Sequence, residues 1–171
     1  MKEALCLCGL LVLGSAYAAK PSDALIDSCM RASAVSPSIR VTPIPTNESI
    51  DEDDYKPGYK ATFFQYQGKD IGYARGAASN SLIYDGVLYR TSSATRLLGG
   101  KGQPVEVNPN LAAWLLASEG SDQFLCVSDT LDSLGRSGTY QNVRYAYLLS
   151  LSPPRRLYFA LNDIRHDKKH R

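Results

Sequence analysis

The sequence predicts an α+β fold that is mainly antiparallel β, a single domain of about seven or eight strands with two short helices. Three observations predict it. From Lys60 onward, short apolar and aromatic runs such as ATFFQY, DIGYA and SLIYDGVLYR are broken by turn residues at hairpin spacing. Helical periodicity is confined to two brief stretches. Beyond the N-terminal leader only two cysteines remain, Cys29 and Cys126, placed so that a bond between them ties the first helix to a late strand.

The leader comes first in the chain. MKEALCLCGLLVLGSAYAAK has a cationic start, an apolar run from Ala4 to Leu13 and small residues at Ala16 and Ala18, so residues 1–18 read as a secretory signal cleaved after Ala18. The apolar run is shorter than the roughly 20 residues that span a bilayer. The rest of the chain reads as one globular domain, 19–164, and a basic tail, 165–171, with sequence RHDKKHR from Arg165. Export implies a periplasmic or secreted protein. In that oxidising setting a lone cysteine pair reads as a disulfide, and closing a loop between residues 97 positions apart is worth roughly 4–5 kcal/mol in the chain-entropy model.

Ser22 caps a helix whose Leu25, Ile26, Cys29 and Met30 share one face. A brief edge strand fits at Ile39–Thr42, before Pro43 and Pro45. NESIDEDDYKPGY then reads as an acidic loop. The next strands turn at Gln67-Gly68-Lys69 and at Asp85-Gly86, the latter a strong type I′ hairpin signal. GGKGQ, residues 99–103, reads as a flexible loop, and VEV, 105–107, as a short strand. Asn108-Pro109 is expected to start a second helix that presents Leu111, Trp114 and Leu115 on one face and stops at Gly120. A three-strand meander closes the chain: Gln123–Val127, Val143–Leu151 and Arg156–Leu161.

Several chemistries are excluded or weakened. Net charge is only +2 and gathers in the tail, so no nucleic-acid partner is expected. The only histidines, His166 and His170, also lie there, which leaves no zinc set and no imidazole base in the folded body. Ser137 in GRSG fails as a nucleophile elbow because Thr139 stands where the second glycine belongs. GGKGQP fails as a phosphate loop at Thr95 and Gly102. The run Asp51-Glu52-Asp53-Asp54 lacks calcium-loop spacing. No cofactor, metal or catalytic residue is assigned, although Asp70, Asp85, Glu106, Glu119 and Asp163 are carboxylates that folding could pair.

There remains the long segment 128–142 between two strands. It mixes glycines with Ser133, Leu134, Arg136, Ser137, Thr139 and Tyr140, residues suited to lying in another molecule's cleft. The expectation is a non-enzymatic inhibitor or immunity protein that blocks an extracytoplasmic enzyme or toxin with this loop. The alternatives are a carbohydrate- or envelope-binding module using tyrosines that neighbour arginines, such as Tyr73, Tyr89, Tyr145 and Tyr158, and then a hydrolase with paired carboxylates.

Overall fold

A computed structural model describes residues 20–97, 104–130 and 143–163. The expected signal segment 1–18, the expected loop 99–103 and the tail 165–171 lie outside the described residues. In chain order the elements are α1 (Asp23–Arg31), β1 (Ile39–Pro43), β2 (Ile50–Lys56), β3 (Tyr59–Tyr66), β4 (Lys69–Gly76), β5 (Ser81–Tyr84) and β6 (Val87–Arg90). A 3-10 turn at Thr91–Ser93 comes next, then β7 (Thr95–Arg96), β8 (Ala113–Glu119), β9 (Asp122–Thr130), β10 (Val143–Ser150) and β11 (Leu157–Asp163).

The strands form two sheets. The larger runs β1-β8-β9-β10-β11-β7 and is antiparallel except for the short β11–β7 pair. The smaller is an antiparallel meander, β2-β3-β4-β5-β6. Its β3–β4 and β5–β6 turns are tight because both central residues adopt positive φ, Gln67 and Gly68 at 52° and 73°, Asp85 and Gly86 at 56° and 71°. The chain passes from the larger sheet to the smaller between β1 and β2 and returns through the 3-10 turn, which brings β6 close to β7 and to the β10–β11 turn.

The larger sheet is buried on both faces. Trp114, Val127, Tyr147 and Phe159 pack toward the smaller sheet's Phe64, Ile71, Tyr73 and Leu82. On the opposite face Leu115, Phe124, Leu148 and Ala160 meet Leu25, Ile26 and Met30 of α1. Each large side chain buried this way contributes roughly 1.5–3 kcal/mol. Ser22 caps α1 as predicted, accepting from the Leu25 N–H at 3.1 Å, and Ala32 ends it in the left-handed region at φ 52°. Cys29 and Cys126 form the disulfide, with Cα atoms 5.7 Å apart, so the helix is tied to the middle of the sheet.

Four expectations are corrected. The described residues contain eleven strands and one α-helix, not seven or eight strands and two helices. The second expected helix is the strand β8, paired with both β1 and β9. Its Trp114 and Leu115 are buried on opposite faces, and a strand apolar on both sides mimics helical spacing over so short a run. Leu111, expected on the helix's apolar face, is 58% exposed before the strand begins. The acidic loop is the edge strand β2, whose register against β3 shifts between Glu52 and Lys56. Finally, 105–107 is not a strand: Val107 is buried in irregular backbone, and the Val105 carbonyl accepts from the Tyr147 hydroxyl at 2.6 Å.

Candidate functional site

The six loop residues singled out from the sequence, Ser133, Leu134, Arg136, Ser137, Thr139 and Tyr140, lie outside the described residues. The strands that carry the loop are described. β9 reaches Thr130, so Ser128 and Asp129 belong to the strand rather than to the loop, and Ser128 is buried opposite Ala113 and Ala146. Pairing continues to Asp129 with Tyr145 and Thr130 with Arg144. Residues 131–142 therefore join two adjacent central strands, and β9 is also the strand held by the disulfide.

Of the five carboxylates that folding could pair, Asp70, Asp85 and Glu106 take separate partners. Asp70 accepts from the Tyr55 hydroxyl at 3.2 Å and from the Gln65 amide. Burial and then the Asp70 charge raise Tyr55 from 10.0 to about 12. Asp85 pairs with Lys69 at 3.2 Å, and Glu106 with Arg75 at 2.6 Å. On β2, Asp51 accepts from the Thr62 hydroxyl at 2.6 Å and Asp53 from Lys60 at 2.9 Å. Among the described residues no group of three or more acidic, His or Cys side chains is placed to hold a metal ion.

Most of the tyrosines next to arginines in sequence serve the interior. Tyr73, Tyr145 and Tyr158 are buried, and burial raises the hydroxyl pKa of each. Tyr145 and Tyr147 point their hydroxyls at the Glu106 and Val105 carbonyls, which pins the segment after residue 104 against the sheet.

One cluster does reach the surface, and only folding assembles it. The Tyr84 ring has Lys69 Nζ and the Arg155 guanidinium carbon each 5.0 Å from its centroid. Arg155 also donates to the Tyr89 hydroxyl at 3.1 Å, the main cause of its raised pKa, and lies 4.0 Å from Asp85. Beside this cluster runs a groove of about 400 Å³ lined by Tyr89, Arg90, Ser93, Thr95, Arg155 and Arg156. It opens where the edges of the two sheets meet. Arg155 carries no periodic or motif signal in the sequence; the only hint is a basic dipeptide directly after Pro153-Pro154.

Compared with protein-family models, with curated proteins and with solved structures, the chain matches none.

Proposed function

We propose that the protein is exported to the periplasm or beyond, that residues 19–164 act as one domain, and that it is a non-enzymatic binding protein. In this reading it is an inhibitor or immunity protein that blocks an extracytoplasmic enzyme or toxin through residues 131–142. Ser133, Leu134, Arg136, Ser137, Thr139 and Tyr140 are the contacts. The observation that carries the reading is the loop's seat. It leaves and re-enters the sheet through neighbouring central strands buried on both faces, one of them cross-linked to α1. A rigid base under a long polar loop lowers the ordering cost of docking the loop into a cleft. The disulfide supports an oxidising compartment, and among the described residues no helix is long and apolar enough to cross a membrane.

The test is capture from extracytoplasmic extracts by the chain from Ala19 onward, then the same capture with Leu134, Arg136, Ser137 and Tyr140 replaced by small or opposite-charge residues. One stoichiometric protein partner, lost in the variant at unchanged melting temperature, supports the reading. Equal retention by the variant sinks the loop assignment. Turnover of a wall or polysaccharide substrate that a single Asp or Glu substitution abolishes would replace the whole reading with a hydrolase.

A further inference from the structure

The arginine groove lies alongside an edge strand that has main-chain groups to offer. β6 is the last strand of the smaller sheet, and no described strand pairs with its outer side. In a two-residue hairpin the closing pair, here Tyr84 with Val87, exchanges both hydrogen bonds. Alternation then turns the main-chain groups of Leu88 and Arg90 away from β5. The Arg90 carbonyl accepts from the Ser93 hydroxyl at 2.8 Å. An extended chain laid along β6 would meet the Leu88 N–H and C=O and the Arg90 N–H in strand geometry.

The side chains there select for negative charge. Of the three arginines that line the groove, only Arg155 has a carboxylate within 4.0 Å among the described residues, and Asp85 is shared with Lys69; alternation along β6 sets the Arg90 side chain on the face of Leu88 and Ile83, opposite Tyr89. Arg90 and Arg156 are exposed and carry no carboxylate partner among the described residues, and Arg90 lies near the Tyr59 hydroxyl on the outer face of the smaller sheet. Arg155 is held in place by the Tyr84 ring and the Tyr89 hydroxyl, and because Tyr89 accepts from it, the phenol proton is left to donate elsewhere. Planar guanidinium forks suit carboxylates. Among the described residues one tyrosine lines the groove, Tyr89, whose ring packs partly against the core between the sheets, and the Tyr84 ring is buried beneath cations.

We propose that β6 and the adjoining groove form a docking site for an extended acidic segment of a partner protein, which adds as a strand to β6 and sets carboxylates beside Arg155 and Arg156 on one face and beside Arg90 on the other. The site is separate from the loop between β9 and β10 and stands without the inhibitor reading.

The probe is a fluorescent eight-residue peptide alternating glutamate with valine, titrated by anisotropy into the exported full chain. Its lysine counterpart and a version N-methylated at alternate residues serve as controls. The glutamate peptide is expected to saturate, and the lysine peptide not to bind. The Arg90→Ser, Arg156→Ser double variant should bind about tenfold more weakly, and alternate N-methylation should weaken binding about as much. Raising the salt severalfold should weaken binding further. Should the serine pair alter the melting temperature, Arg90→Lys with Arg156→Lys keeps the charge, removes the forks and is expected to fall between wild type and the serine pair. The loop variant should bind the peptide like wild type, which separates this site from the inhibitor reading. Equal affinity in the serine variant, or equal binding of the lysine peptide, overturns the proposal. Inorganic sulfate matching the peptide's affinity also overturns it, by reducing the site to a small-anion pocket. A dimer in sedimentation that the peptide cannot dissociate would assign the groove to the acidic β2 of a second copy, and overturns it too.

Discussion

The larger and smaller sheets solve the same problem differently. Each has an apolar face turned toward the other and a second face that must also be kept from water. The larger sheet covers its second face with α1, tied down at Cys29–Cys126. The smaller sheet has no described helix there. It shelters Ala61, Phe63, Ala74 and Ile83 under its own side chains, chiefly Tyr55, Tyr59 and Leu88, with the Tyr55 ring 5.1 Å from that of Phe63. A covalently held cover lets a sheet be apolar on both sides over many residues. A cover built of neighbouring side chains suffices only for a small patch.

The largest expected effect breaks the first arrangement. Replacing Cys29 and Cys126 together with serine should cost roughly 4–5 kcal/mol in urea unfolding, the chain-entropy value for a loop of this length. A loss below about 1 kcal/mol would mean that packing alone holds α1. Next comes Gly72→Ala in the smaller sheet. An added Cβ would lie 2.3 Å from the Thr62 carbonyl oxygen and 2.5 Å from Phe63 Cα, contacts with backbone that cannot swing aside. About 1–3 kcal/mol should be lost, and an unchanged midpoint would show that the β3–β4 pair can slide.

Tyr55→Phe keeps the ring over Phe63 and removes the hydroxyl that binds Asp70, so about 1 kcal/mol is expected from the same unfolding curve. The parent protein carries a matching pH signature. Tyr55 is raised to about 12 in the fold against an ordinary value of 10.0, so its contribution is complete below about pH 10 and lost as pH climbs toward 12. Tyr145 and Tyr147 are raised in the same direction, mainly by burial, and steepen the alkaline decline. Absorbance titration should therefore show a late fraction of phenolates that ionises only above the ordinary tyrosine range or on unfolding; the absence of any late fraction would refute these assignments. The smallest effect belongs to Lys60→Ala. Its partner Asp53 and Lys60 itself are 89% and 74% exposed, and no resolvable shift in the unfolding midpoint is expected at physiological salt.

Legibility in the sequence divides along the same line between the sheets. The smaller sheet's hairpins are readable because Gln67-Gly68 and Asp85-Gly86 carry the conformational demand of their turns locally. α1 is readable from Ser22 and one apolar face. In the larger sheet, β9, β10 and β11 are legible as a meander, but β8 reads as a helix. Trp114 and Leu115 are adjacent and apolar because both faces of the strand are covered, which erases the alternation that marks a half-exposed strand. The acidic β2 escapes notice for the opposite reason. It is an edge strand exposed along nearly all its length, so no apolar pattern marks it, and its charges suit an unpaired edge. The cluster at β6 is not visible in the sequence, because Arg155 reaches the Tyr84–Tyr89 hairpin from 66 residues beyond Tyr89.

By itself the sequence determined the β-rich class, the capped helix, the tight hairpins and the Cys29–Cys126 pairing. Each rests on local backbone preference or, for the cysteines, on the expectation that Cys6 and Cys8 leave with the leader. Tertiary structure alone decided that residues 113–119 are a central strand, that most arginine-flanked tyrosines face inward, and that Arg155 reaches Tyr84 and Tyr89 beside the edge strand β6. Those outcomes depend on which surfaces are covered by elements far away in the chain, and no local pattern carries that information.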